Sequence, residues 1–254
     1  TPEALTIKAE KLIHKRYDAD YHGNTSTSRV TPVIDASFEA NASVDETPSS
    51  NTIAVSDDGI VISANNDGII YFTESGTKFY EAKWVDFFDD NQLTASFFSP
   101  RVLYDPVEER FILVILHGKT SATSRVVISF SKSTDPQDGW YVYKLPGNPL
   151  ADGTWFDFAS IGISTNEVYV SGNLIEGTTF KKAIVYQINK GDGYVGGFLD
   201  WQFWTDFFNG PVSITPASYG QHGDYGPGIY LISRAAAGAD AYLFWDLDND
   251  IGGD

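Results

Sequence analysis

Four times along the chain, two short apolar runs meet across a cluster of turn residues. The first is Ile53–Val55, then Asp57-Asp58-Gly59, then Ile60–Ile62. The second joins Val102–Tyr104 to Phe111–Leu116 through Asp105-Pro106-Val107-Glu108-Glu109. The third joins Ile161–Ile163 to Val168–Val170 through Ser164-Thr165-Asn166-Glu167, and in the fourth Asp224-Tyr225-Gly226-Pro227-Gly228 precedes Ile229–Ile232. Each is a hairpin signal. With Asp58, Glu109, Asn166 and Pro227 as pivots, the units are 51, 57 and 61 residues apart. Each unit continues into a third apolar run: Ile69–Phe72, Val126–Phe130, Ala183–Ile188 and Ala241–Trp245. The first three also continue into a fourth, at Lys78–Ala82, Trp140–Lys144 and Phe198–Trp201. Four antiparallel strands recurring at this pitch predict the blades of a β-propeller. A plain β-sandwich is the alternative; it accounts for the strands but not for their grouping in fours.

The flanks fit the repeat less well. Residues 1–28 carry Leu5, Ala9, Leu12 and Ile13 at rough helical spacing, beside Lys8, Lys11, Lys15 and Arg16, and end in a Gly23–Ser28 loop. They read as an N-terminal arm or leader, with the propeller over 29–254. Val30, Pro32, Ile34, Ala36 and Phe38 alternate with polar neighbours, the period of a half-buried strand. The fourth unit stops after its third strand, and an open ring exposes a sheet face and an edge. Two expectations follow: Val30–Phe38 pairs with a strand far away in sequence, and the parent polypeptide continues beyond Asp254. A second echo, Trp84-Val85-Asp86-Phe87-Phe88 against Trp204-Thr205-Asp206-Phe207-Phe208, supports the repeat. Trp155-Phe156-Asp157-Phe158 looks alike but sits closer to its own pivot.

Composition narrows the partners. The 254 residues carry a net charge of −17, which disfavours nucleic acid and anionic membrane surfaces. There is no cysteine, so disulfides, thiol catalysis and zinc–thiolate sites are excluded. No apolar run approaches the length of a membrane-spanning helix.

Catalytic signals are weak. His14, His22, His117 and His222 lie outside any nucleophile-elbow or zinc-protease context, and His117 reads as the end of a strand. Ser133-Thr134-Asp135-Pro136-Gln137-Asp138-Gly139-Trp140 is an imperfect sialidase-type Asp box, which marks a turn rather than chemistry. Arg101, Arg110, Arg125 and Arg234 are scattered, so an arginine cluster is hard to assemble. Asp246, Asp248 and Asp250, followed by Asp254, alternate as the ligands of calcium loops do, and make a candidate Ca2+ site. Against it, Ile251 stands where the sharp turn wants glycine. Asp105-Pro106 and Asp135-Pro136 read as turn chemistry, and Trp140 and Tyr143 as packing between blades.

Three stretches resemble a known family: Ser99–Pro106 with Glu109-Arg110-Phe111, Ser129–Pro136 with Gly139–Tyr143, and Asp157–Ile163. The family is that of propeller-like domains in large secreted and cell-surface proteins of Bacteroidota, often cargo of type IX secretion. The resemblance is specific over Ser99–Asn173. It implies an extracellular or outer-membrane cell-surface location and carries over no catalytic residue. The expected function is a non-enzymatic binding, adhesion or scaffold module whose partner is a glycan or protein ligand at the cell surface, or other domains of the parent protein. A glycan-active propeller enzyme of the glycosidase or sialidase kind is the alternative. An enzyme would converge acids and arginines in a central funnel, and a binder would expose an aromatic patch.

Overall fold

A computed structural model describes residues 34, 36–42, 50–207, 210–217, 228–234, 242–248, 250 and 251. Every sheet described lies within residues 36–254, one compact unit. Among the described residues, fifteen strands form four antiparallel sheets. The first contains β1 (Thr52–Val55), β2 (Ile60–Ala64), β3 (Gly68–Thr73) and β4 (Lys78–Lys83). The second contains β5 (Phe97–Asp105), β6 (Arg110–His117), β7 (Arg125–Ser131) and β8 (Trp140–Pro146). The third contains β9 (Trp155–Ile163), β10 (Glu167–Glu176), β11 (Thr179–Asn189) and β12 (Trp201–Trp204). The fourth has three strands among the described residues: β13 (Val212–Pro216), β14 (Ile229–Arg234) and β15 (Tyr242–Leu247). Each sheet is an up-and-down meander, and its first strand packs on the first strand of the next sheet, β1 on β5, β5 on β9 and β9 on β13. First strands adjacent in sequence order, with the sheets stacked face to face, are the arrangement of a β-propeller, with four blades among the described residues.

The strand pattern explains the stacking. Middle strands of a propeller are covered on both faces, so they read as unbroken apolar runs rather than alternating ones. Phe111–Leu116 in β6 and Val126–Ile128 with Phe130 in β7 are at most 1% exposed. Alternate residues serve opposite neighbours. Phe111, Leu113 and Ile115 pack with Ile62, Ile69 and Tyr71 of blade 1, whereas Ile112, Val114 and Leu116 pack with Phe156, Val170 and Tyr186 of blade 3. Trp140 and Tyr143 bridge blades as expected. Trp140 donates its indole N–H to the Tyr71 hydroxyl at 3.1 Å, and the Tyr143 hydroxyl donates to the Gly197 carbonyl at 3.0 Å.

Helix is sparse among the described residues beyond 28: α1 (Trp84–Phe88), α2 (Lys190–Val195) and a 3-10 turn at Pro136–Asp138. Inside α2, Gly193 lies so close to Phe130 of blade 2 that a Cβ would stand 2.4 Å from the ring. The tryptophan echo has a structural meaning: Trp84 follows the last strand of blade 1 and Trp204 ends the last strand of blade 3, and from each the chain reaches forward. Phe87 meets Trp140 of blade 2, and Phe207 meets Trp245 of blade 4, with edge-on ring centroids 5.9 and 5.8 Å apart. Trp155–Phe158 opens an innermost strand and is no member of that echo.

One expectation needs correction. The fourth strand of blade 3 is Trp201–Trp204, not Phe198–Trp201. Helix α2 and its Gly196-Gly197 exit use up the preceding residues, Phe198 is left exposed, and Trp201 and Phe203 pack on Tyr186. The expected long-range strand Val30–Phe38 falls largely outside the described residues. Residues 30–33 and 35 lie outside the described set, Ile34 and Ala36–Phe38 have no strand structure, and the Phe38 ring lies tilted against Phe72 of blade 1, centroids 5.2 Å apart. Residues 1–28 also lie outside it.

A repeated backbone feature aligns the blades. Ser50, Ser99, Phe158 and Ser213 have positive φ, between 51 and 58°. Three sit in bulges of the innermost strands, and Ser50 stands two residues before β1. A bulge of this kind turns the strand and re-aims its side chains. The N–H it frees is capped in two interfaces by an asparagine of the preceding blade. Asn66 Oδ1 accepts from Ser99 at 2.8 Å, and Asn173 Oδ1 accepts from Ser213 at 3.0 Å. The strand registers place Leu116 at the equivalent position of blade 2. Leucine cannot accept, and there Asp157 Oδ1 accepts from Phe158 at 2.9 Å.

Candidate binding site at the axial ends of the inner strands

Two residues beyond each bulge residue stand Thr52, Arg101, Ser160 and Thr215, one per blade, all at least partly accessible. Three hydroxyls and one guanidinium therefore occupy equivalent positions around the axis. The Thr52 hydroxyl accepts from Val102 N–H at 3.2 Å and ties blade 1 to blade 2. Arg101 donates from Nη1 to the neighbouring Pro100 carbonyl at 2.7 Å, and no carboxylate of the described residues pairs with it. Partial burial strips hydration from this guanidinium and pulls its pKa down. A guanidinium carries five N–H donors in a planar fork. Most of Arg101's fork is uncommitted among the described groups.

Neighbouring residues add one acid, one more cation and an exposed ring. Asp157 lies on β9, where burial raises its carboxyl pKa while the Phe158 N–H and the Lys119 ammonium pull it back. Lys119 lies over the Phe98 ring at 4.8 Å. Phe158 is well exposed, an unusual state for a phenylalanine on an innermost strand.

Chemistry that needs two carboxyls is poorly served. Glycosidases set a pair about 5 to 10 Å apart. The described innermost strands hold two acids, Asp157 near the start of β9 and Asp105 at the far end of β5. Asp105 is fully buried and committed. Its Oδ2 accepts from Lys190 Nζ at 2.6 Å and from the Tyr194 hydroxyl at 2.8 Å, and its Oδ1 accepts from Val107 N–H at 3.1 Å. The arginines stay apart: Arg110 binds turn carbonyls of Glu108 and Glu109, Arg125 binds Ser124, and Arg234 ends β14.

His117 ends β6 as expected and is buried there. Its Nε2 accepts from Ala95 N–H at 2.8 Å and its Nδ1 faces the Thr123 carbonyl at 3.1 Å, which fixes a neutral ring protonated on Nδ1. Burial lowers its pKa. The Asp-box-like turn is structural: Asp135 Oδ1 caps the 3-10 turn through Gln137 N–H at 2.9 Å. His14, His22 and His222 lie outside the described residues.

The candidate Ca2+ ligands Asp246, Asp248 and Asp250 lie at the C-terminal end of blade 4. Asp246 is within β15 and Asp248 just follows it, so an extended backbone sets their alternation. Asp250 accepts from Asn166 Nδ2 at 2.6 Å, and the next residue, Ile251, donates its N–H to buried Glu167 at 2.6 Å. No group of three or more acids or histidines suited to a metal occurs among the described residues. Asp254 lies outside them. Other hollows lie among the described residues. One of about 270 Å3 is lined by Glu108, Asn166, Glu167, Lys190 and Asp250, at the end opposite the bulges. One of about 320 Å3, between blades 1 and 2, is lined by Tyr71, Tyr80, Phe87, Phe88 and Trp140, whose rings are packed on one another.

Sequence reasoning named Arg101 but gave it no site. The signal was available in the alignment of Ser50, Ser99, Phe158 and Ser213, and it becomes visible once the bulges reveal which residues are equivalent. No helix of the described residues is long and apolar enough to cross a membrane.

No protein-family model matches the chain, and no curated protein does. Among solved structures it is similar to a GH43 endo-arabinanase from Bacillus licheniformis, at 11% identity and a TM-score of 0.41, over 81% of this chain and 75% of that one.

Proposed function

We propose that this propeller is a non-enzymatic binding module of a secreted or surface-anchored bacterial protein, and that its ligand is an anionic glycan seated at the bulged ends of the inner strands. The observation that carries this reading is Arg101. It is a half-buried cation on the innermost strand of blade 2, without an acid partner among the described residues, in a chain with twice as many acids as bases (34 against 17). Acids are abundant enough to pair it, so an open fork supports a role with an external carboxylate or sulfate, which it can hold through two parallel hydrogen bonds. Thr52, Ser160 and Thr215 supply hydroxyls suited to sugar hydroxyls, and Phe158 offers a face for a sugar ring.

Calorimetric titration with an oligouronate and its neutral counterpart tests the proposal. The oligouronate binds the intact chain, and Arg101→Ala weakens it tenfold or more, the scale of losing hydrogen bonds to a charged group worth about 1.5–3 kcal/mol. Equal affinity for the neutral sugar, or no loss in Arg101→Ala, overturns the reading. The glycan-active alternative is favoured by one feature, the raised carboxyl of Asp157 on an inner strand. Turnover of any glycan that vanishes in Asp157→Asn would establish it instead.

A further inference from the structure

Blade 4 carries on its outward face what every other blade buries. Register equates its Tyr230 and Ile232 on β14 with Ile112 and Val114 on β6, and its Tyr242 and Phe244 on β15 with Val126 and Ile128 on β7. The blade 2 residues are fully buried against blade 3, yet Tyr230, Tyr242 and Phe244 are 52, 70 and 68% exposed. The opposite flank of the propeller shows the same thing. Ile53 and Val55 on β1 stand where blade 2 has Val102 and Tyr104, which pack on blade 1, but they are 61 and 50% exposed. Farther out on that flank, Phe38 covers Phe72. Principal strand packing runs from blade 1 through blade 4, with no comparable contact between blades 4 and 1 among the described residues.

We infer that the outward face of blade 4 is the seat of a fifth blade, a further antiparallel sheet apolar on both faces. Continuity of the interface identifies the occupant. Three successive interfaces are built from the same alternating positions, and the next repetition requires the same partner. One inserted sheet covers Tyr242 and Phe244 with one face and Ile53 and Val55 with the other. A second copy of the chain seated on blade 4 covers only the first pair. This inference stands apart from the glycan reading, which concerns the axial ends of the strands.

The test appends a second copy of residues 92–147 after Asp254, because blade 2 already presents apolar residues to both neighbours. Hydroxyl-radical labelling of Tyr242 and Phe244 should fall severalfold relative to the 254-residue chain, and Tm should rise. Phe244→Asp in the extended chain should restore labelling at Tyr242. Three results overturn the inference. In the first, the 254-residue chain is a monomer already protected at Tyr242 and Phe244. In the second, it is a dimer protected there, which makes a second copy the occupant. In the third, the appended blade leaves labelling unchanged, whether it folds elsewhere or stays unfolded, since the seat is what should fold it.

Discussion

Arg101 and Asp105 are four residues apart on one strand, and the protein treats their charges in opposite ways. Asp105, at the end of β5 away from the bulges, is sealed from water and matched by Lys190 and Tyr194, both delivered from blade 3 by α2. Arg101, toward the bulged end, keeps partial access and spends a donor on the adjacent carbonyl. Burying an ion without a partner is costly, so a charge used to lock two blades must arrive with its counter-ion. A charge that stays half-hydrated and unmatched contributes little to folding and is free to meet a ligand. The two ends of the inner strands thus divide the work: one end locks blades 2 and 3, and the other presents polar groups around the axis.

The largest expected effect lies at the locked end. Lys190→Ala leaves Asp105 buried without its cation and should cost about 3–5 kcal/mol, read as a lower midpoint in urea unfolding. A loss below about 1 kcal/mol would erase the contrast between the two ends. Next comes the asparagine clamp. Asn173→Ala frees the Ser213 N–H and removes a buried amide, for an expected loss of about 1–3 kcal/mol by the same assay, with no change in glycan affinity. Smaller again is Arg101→Ala, which should shift stability by less than about 1 kcal/mol while the glycan titration collapses. A large stability loss there would make Arg101 structural.

The smallest effect is pH-dependent. The folded pKa of His117 is depressed, so its neutral ring contributes stability that is present above its ordinary value of 6.5 and lost as pH falls below it toward the folded value. His117→Gln should flatten the stability profile on the acid side of 6.5. Asp157 runs the other way. Its folded pKa is raised, so its contribution is full below the ordinary carboxyl range and lost as pH rises through the folded value. Asp157→Asn should raise stability near neutrality, where the buried carboxylate is a burden.

Period and turn chemistry made the blades readable. Phe111–Leu116 and Val126–Phe130 are apolar without a break, which only a strand covered on both faces tolerates, and Asp105-Pro106 and Asp135-Pro136 mark reversals by local hydrogen bonding alone. Such features depend on neighbours one to four residues away, so the chain carries them by itself. Asp105 shows the boundary. Its Oδ1 does the turn chemistry that sequence predicts, while its Oδ2 takes a lysine 85 residues onward that no local pattern announces. The strand edge at Trp201 is likewise set at a distance, since Trp201 pairs with Ile188 and packs on Tyr186 of β11. The aspartates 246, 248 and 250 alternate as metal ligands do, and the alternation alone does not announce that Asp250 accepts from Asn166, 84 residues away. Arg101 and its three hydroxyl counterparts are common residues with no motif. Only the stacking of blades makes them equivalent, because a site around an axis is assembled from strands some fifty residues apart, and that spacing becomes proximity only when each blade packs on the next.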